Sequence, residues 1–404
     1  MIKYSELRNK LKCEVLNGNA EDLAYITHYL HNHKTSNFKS YEKRAAEYLN
    51  EINEEVNILP HPLKLKEILP IKWDIPFPAP ENFTFTFIDL FAGIGGFRIP
   101  LQQLGGKCVF SSEFNYHAQR AYELNFGEVP FGDITRLDID VVPKHDILCA
   151  GFPCQPFSIS GKMKGFEDTR GTLIYHVFKI IEKHSPKVIF LENVKHLVYH
   201  DKKRTLSTII QHLEELGYIV SKMVLNASDF GVPQNRERII IIGHKKKKFD
   251  FSRIKKKKKV VLKGFLDKDN EFEYLEEPYT ILEDQKVQES GLIFAGYRNK
   301  TIRKAGVREG TEHLSRVHKQ PNRIYSTEGV HPALPSQESS GRFWIWHDGQ
   351  VRKLTIEECY RIMGFPKKFK LLSNKAELYK QIGNSVAIPM IKGVAEEIKS
   401  QLLK

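Results

Sequence analysis

The stretch Asp146-Ile147-Leu148-Cys149-Ala150-Gly151-Phe152-Pro153-Cys154-Gln155-Pro156-Phe157-Ser158 decides how this chain is read. Its apolar run reads as a short strand buried on both faces, and the glycine and prolines that follow read as a stiffened turn. A thiol, Cys154, is presented where that strand ends. In an open α/β sheet, ligands and chemistry collect at the carboxyl ends of the strands. Two more segments fit the same plan. Val188-Ile189-Phe190-Leu191 runs into Glu192-Asn193-Val194, and Gln234-Asn235-Arg236-Glu237-Arg238 opens the run Ile239-Ile240-Ile241-Ile242. A nucleophile, an acid and two guanidinium groups, each at a strand end, suggest one site assembled from distant segments.

Working outward, Phe83, Phe85 and Phe87 alternate with threonines and lead into Ile88-Asp89-Leu90-Phe91, a strand pattern that becomes buried on both faces. Strand and helix patterns then alternate up to Gly243. Helices are expected around Tyr116 to Asn125, over Leu173 to His184 and over Leu206 to Leu216. Such alternation predicts an α/β fold with a largely parallel sheet and helices on both faces. Residues 84–243 with 352–404 are read as this domain; its last helix carries Pro389 near the start, where the missing N–H costs little. Residues 244–351 form a smaller, irregular, turn-rich segment with 22 Lys and Arg against 15 Asp and Glu. Residues 1–80 read as a separate helical extension, with Leu23, Ile26 and Leu30 and then Ala46, Leu49 and Ile52 at helical spacing, and a connector dense in proline from Leu59 to Pro80.

Bulk properties narrow the function. The 404 residues are 41% hydrophobic and 27% charged, with a formal net charge of +13, which favours a polyanionic partner. Five scattered cysteines include no Cys-x-x-Cys pair, so neither a disulfide framework nor a metal site is expected. No apolar run is long enough to span a bilayer, and the first residues lack the apolar core of a signal peptide; a cytoplasmic protein is expected.

The turn Phe91-Ala92-Gly93-Ile94-Gly95-Gly96 follows a strand and opens a helix, and its glycines let the backbone turn sharply and approach a ligand. Glu113 ends the next strand, a spacing at which an acid commonly accepts hydrogen bonds from ribose hydroxyls. Gly132-Asp133-Ile134 adds a second acid, suited to an adenine amino group. Cys149, inside its apolar run, reads as a core thiol; Cys154, between prolines and polar residues, does not.

In this order, the motifs Phe91 to Gly96, Gly132-Asp133-Ile134, Gly151-Phe152-Pro153-Cys154-Gln155, Glu192-Asn193-Val194, Gln234-x-Arg236-x-Arg238 and Gly383-Asn384-Ser385-Val386 resemble those of the bacterial DNA cytosine-5 methyltransferases. The resemblance runs from about Phe87 to the last helix. It implies a Rossmann-like fold dependent on S-adenosyl-L-methionine, with the cofactor held by Phe91, Gly93, Ile94, Gly95, Gly96, Glu113, Asp133, Ile134, Pro153, Leu173, Asn384, Ser385 and Val386. It implies Cys154 as nucleophile, Glu192 as the acid that binds the base, Arg236 holding the base and Glu192, and Arg238 supporting the same strand. Double-stranded DNA is the implied partner, with Gln155, Ser158, Ser160, Lys162, Gln320 and Arg323 in contact with it and residues 244–351 recognising the target. A monomer without a stable protein partner is expected, with a companion restriction endonuclease in the same host. Where the family often has Thr-Leu, this chain has Ala333-Leu334, which removes one hydroxyl from the DNA-facing segment. The same motif set can serve a tRNA cytosine methyltransferase. A nicotinamide-dependent oxidoreductase would use the glycine turn but leave Cys154, Glu192 and Arg236 without a joint purpose, and a catalytically idle DNA-binding regulator would not need the thiol.

Overall fold

The computed structural model describes residues 2–11, 20–35, 39–56, 71–153, 173–298, 320–372 and 374–403. Its centre is a six-stranded sheet built from β1 (Phe85–Leu90), β2 (Gly106–Ser112), β3 (Ile147–Gly151), β4 (Val188–Val194), β5 (Ile219–Asn226) and, after the two-residue β6 (Gln234–Asn235), β7 (Glu237–His244). The order across the sheet is β2-β1-β3-β4-β7-β5. The first four neighbours pair in parallel, whereas β7 lies antiparallel between β4 and β5. Strands β1, β3 and β4 are buried almost throughout, as their unbroken apolar runs require.

Ten helices are described: α1 (Tyr4–Lys10), α2 (Ala20–Asn32), α3 (Lys39–Val56), α4 (Arg98–Gln103), α5 (Tyr116–Phe126), α6 (Leu173–His184), α7 (Arg204–Glu215), α8 (Ile356–Ile362), α9 (Lys375–Asn384) and α10 (Ile388–Leu402). On one face of the sheet, Ile88, Leu90, Leu148, Leu191 and Ile241 share a core with Val177 and Ile181 of α6 and Leu206, Ile209 and Leu213 of α7. On the other face, Phe87, Cys149, Phe190 and Ile240 pack with Leu101 of α4 and Met390, Ile391, Val394 and Ile398 of α10. Local chemistry sets the ends of these helices. The Asn115 side chain accepts from the Ala118 amide at the start of α5, and Gly127 ends it at φ 66°. A reciprocal Thr355–Glu358 capping box opens α8.

Two regions differ from the sequence reading. The helices of residues 1–80 do not stand apart: Leu7, Leu23, Ile26, Leu30, Tyr41 and Leu49 belong to the same apolar core as Ile88, Val109 and Phe110 of the sheet. Residues 244–351 are less irregular than their composition suggests. They carry most of a second sheet, ordered β13-β12-β10-β9-β8 and formed by β8 (Tyr279–Ile281), β9 (Phe294–Arg298), β10 (Arg323–Ser326), β12 (Trp344–His347) and β13 (Gln350–Lys353). The short β11 (His331–Pro332) pairs with β6 and so straps this second region to the first. Strands of three to five residues are too short to show an alternation in sequence, which is why they were not legible there.

Candidate active site

At the carboxyl end of β1 the backbone turns immediately. Phe91 and Gly93 have φ values of 55° and 54°, and Gly95 has 85°. At Gly95 an added Cβ would sit 2.2 Å from the Phe126 ring, so only glycine fits. At Gly93 the opposite holds: a Cβ would find no heavy atom within 4 Å. The turn is therefore clamped on its protein side and open on the other. Ile94 is buried beneath it.

The neighbouring strand, β2, delivers Glu113. Its Oε2 accepts from the Gly93 amide at 2.8 Å and its Oε1 from the Asn115 amide at 2.8 Å. Burial pushes this carboxyl above its usual range, and the backbone amides pull it back only in part. The Glu113 amide donates to Phe131 O at 2.8 Å and the Ser112 hydroxyl to Gly132 O at 2.8 Å, which sets Asp133 and Ile134 beside the same strand end. Asp133 is exposed, with Oδ1 accepting from the Thr135 amide, whereas Ile134 is buried. Phe114, directly after Glu113, is 75% exposed. Sequence reasoning passed over it; an aromatic immediately after a strand-end acid was the available signal.

The C-terminal motif closes this half of the site. At Gly96 an added Cβ would sit 2.6 Å from Val386 Cγ2 and 3.0 Å from Ser385 Oγ, so the last motif lies directly against the first turn. Asn384 is exposed and ends α9. Pro153 is exposed, and Leu173 opens α6 half-buried against the core.

The second half sits at the ends of β3, β4 and β7. Gly151 stands opposite Glu192 in the parallel register, and a Cβ on Gly151 would lie 3.4 Å from Glu192 Oε2. The Asn193 side chain donates to Phe152 O at 2.8 Å and so fastens the turn that leads towards Cys154. Glu192 is 7% exposed, and Arg238 Nε reaches its Oε1 at 2.8 Å. Burial raises the Glu192 carboxyl; Arg238, and then Arg236, pull it down without cancelling that rise.

Arg236 and Arg238 divide their work differently from the sequence reading, which gave Glu192 to Arg236. Arg238 is the one that grips the carboxylate. Arg236 turns to backbone carbonyls: Nη2 donates to Gly383 O at 2.7 Å and Ser385 O at 2.6 Å, and Nη1 to Leu334 O at 3.2 Å. Arg236 falls between β6 and β7, where Asn226 Oδ1 accepts from its amide at 3.0 Å and the carbonyls of Leu334, Gly383 and Ser385 lie within reach of its guanidinium.

Cys154, Gln155, Ser158, Ser160 and Lys162 lie outside the described residues. Gln320 begins a short 3-10 turn, and Arg323, the first residue of β10, holds its guanidinium 5.5 Å above the Phe294 ring. Cys149 is buried in β3 and its thiol is pushed up by that burial, an inert core position. Among the described residues, no three or more His, Cys, Asp or Glu side chains are grouped to hold a metal ion, and no helix is long and apolar enough to cross a membrane.

A Rossmann-like sheet whose strand ends gather a glycine turn, two buried acids and an arginine defines a methyltransferase fold. Comparison with solved structures agrees: a Dnmt2 methyltransferase of S. pombe superposes with a TM-score of 0.57 at 18% identity, over 79% of this chain and 99% of that one. Residues 85–400 match the family described as C-5 cytosine-specific DNA methylase. The chain is 41% identical over 327 residues to the Type II methyltransferase M.HhaI of Haemophilus parahaemolyticus, covering 78% of this chain and 94% of that protein. It is 36% identical over 412 residues to the Type II methyltransferase M.MspI of Moraxella sp, covering 99% and 85%. The chain belongs to the C-5 cytosine-specific DNA methylase family and is an enzyme that methylates carbon 5 of cytosine in DNA.

Proposed function

We propose that the Cys154 thiolate adds to carbon 6 of an extruded cytosine while Glu192 holds the opposite edge of the ring. The observation that carries this reading is the junction of β3 and β4: Gly151 faces Glu192, Asn193 fastens Phe152, and Cys154 follows two residues later in the chain. Carbon 5 of cytosine is a poor nucleophile. Addition at carbon 6 moves electron density onto carbon 5, which then attacks the methyl group. Loss of the carbon 5 proton and expulsion of the thiolate restore the ring. Ring nitrogen 3 offers a lone pair, so its partner must donate. Burial of Glu192 favours the protonated carboxyl that does so, and Arg238 fixes the carboxyl's orientation. A base within a duplex is out of reach of this site and has to be turned out of the stack.

S-Adenosyl-L-methionine, when bound, supplies an electrophilic methyl on sulfonium. The residues fit it. The open side of Gly93 leaves room, each Glu113 oxygen keeps a lone pair for a ribose hydroxyl, and the exposed Phe114 ring offers a face to adenine. Phe91, Gly95, Gly96, Asp133, Ile134, Pro153, Leu173, Asn384, Ser385 and Val386 complete that half. Residues 244–351 recognise duplex DNA, with Gln155, Ser158, Ser160, Lys162, Gln320 and Arg323 in contact with it. The protein acts as a cytoplasmic monomer and protects host DNA from a companion endonuclease.

Bisulfite sequencing of DNA from a host expressing the chain tests this reading. Methylated cytosine is expected in one short sequence context, and none with Cys154→Ser. Undiminished methylation by Cys154→Ser would remove the nucleophile from the scheme.

A further inference from the structure

The first 84 residues lie outside the matched family region, and the strand they cover is the one that carries Glu113. Within the six-stranded sheet β2 is the edge strand, next to β1; on its outer side Phe131 bridges Ser112, and the Phe131 amide donates to Ser111 O at 2.9 Å. Its register slips between Phe87 and Ile88: Cys108 faces Phe87 and Phe110 faces Ile88, leaving Val109 as an extra, bulged residue. A bulge bends its strand and re-aims the side chains beyond it. Glu113 stands four residues further on.

Of the outward backbone groups at and after this bulge, Phe131 takes Ser111 O and the Glu113 amide, and the N-terminal helices take Val109 O and the Ser111 amide. Tyr41 Oη donates to Val109 O at 2.7 Å, and Asn32 Nδ2 to the same carbonyl at 3.4 Å. The Ser111 amide donates to His28 Nε2 at 3.1 Å, which places the ring proton on Nδ1, 2.8 Å from Ala24 O. Ser111 Oγ donates to Glu128 Oε1 at 2.7 Å, and the same oxygen receives Arg98 Nη1 at 2.7 Å. Arg98 opens α4, directly after the glycine turn. His28, Asn32, Tyr41, Ser111, Arg98 and Glu128 are all fully buried. Burial, the largest single influence, pushes the Glu128 carboxyl up, but Arg98 together with His28, His31 and the Ser111 hydroxyl outweighs it and brings the group down to about 2, so the pair stays charged. One buried polar network therefore joins the N-terminal helices to both elements of the cofactor half.

We infer that Tyr41, Asn32 and His28 are positioning residues for cofactor binding: by holding Val109 O and the Ser111 amide they set the bulge that aims Glu113. The N-terminal helices are then part of the cofactor site and not a separate accessory. This rests on the reading that Glu113 takes the cofactor's ribose.

Titration calorimetry of the full chain with S-adenosylmethionine, alongside kcat and KM for cofactor and DNA, tests it in Tyr41→Phe, His28→Gln and Glu113→Gln. Tyr41→Phe keeps the ring that packs against His28 and Phe131 and removes only the hydroxyl. Each brace variant is expected to weaken cofactor binding about 5-fold, the effect of one lost hydrogen bond, with kcat at saturation and KM for DNA within about 2-fold. A merely structural brace would lower Tm and leave cofactor affinity unchanged at 25 °C, and that result overturns the inference. If Glu113→Gln weakens binding and the brace variants do not, the inference fails alone. If Glu113→Gln binds normally, the reading of the cofactor half fails with it.

Discussion

Glu113 and Glu192 lie at the carboxyl ends of two strands of one sheet, both buried and both raised by that burial, yet they are held by different means. Glu113 is fixed by two backbone amides, from Gly93 and Asn115. Glu192 is fixed by one guanidinium, that of Arg238. Backbone donors cannot titrate or swing away, so the first acid is a permanent acceptor. An ion pair in a poorly solvated site lets the second carboxyl exchange a proton while its position is kept. The sheet thus presents one acid for binding and one for chemistry, distinguished by partners and not by residue type.

Several substitutions would break that distinction or sharpen it. The largest effect belongs to Glu192→Gln, which keeps the shape but cannot supply the proton; kcat should fall about 10²- to 10³-fold, the range of general-acid effects, with cofactor affinity unchanged by calorimetry. Glu113→Gln should do the reverse, raising KM for S-adenosylmethionine about 10-fold as charge-assisted hydrogen bonds are weakened, with little change in kcat. Arg238→Gln removes the guanidinium charge and the Nε hydrogen bond that hold Glu192. Removing the guanidinium raises the Glu192 carboxyl further, so the alkaline limb of kcat, where the needed proton is lost, should move to higher pH. A normal limb in that variant would show that Glu192 is not the titrating group.

The smallest effect concerns the N-terminal helices beside the first acid. His31 donates from Nε2 to Gly127 O and stacks on Trp73 at 4.0 Å between centroids; burial drops its pKa to about 3. A histidine depressed below its unfolded value leaves stability intact above about pH 6.5 and loses it as pH falls towards the folded value. Between pH 7.5 and 5.5, His31 should account for a loss of about 1 kcal/mol in urea unfolding, and His31→Gln should flatten the slope by that amount.

Much of this arrangement was legible in the residues. The apolar run before Gly151 became β3, Leu173–His184 became α6 at both ends, and the strand begun at Val188 ended in Glu192-Asn193-Val194 as expected. Those features are local: an apolar stretch, a period or a cap states itself. Direction and facing are not local. Ile239–Ile242 reads the same whichever way it runs, so the antiparallel insertion of β7 left no trace in sequence. Leu23, Ile26 and Leu30 announce a helix with one apolar face but not that the face meets the sheet. The exchange of roles between Arg236 and Arg238 depends on the carbonyls of Leu334, Gly383 and Ser385, roughly a hundred or more residues away in the chain, which no spacing rule encodes.

The placement of α10 has a consequence for biosynthesis. Met390, Ile391, Val394 and Ile398 cover Phe87, Phe190 and Ile240, strands completed well over a hundred residues earlier in the chain. At ribosomal speeds of about 5 to 20 residues per second, that apolar face waits roughly 7 to 30 s for its cover. A nascent chain of this design depends on chaperones or on slow collapse during that interval, and its expression yield should respond to translation rate more than to the stability of the finished protein.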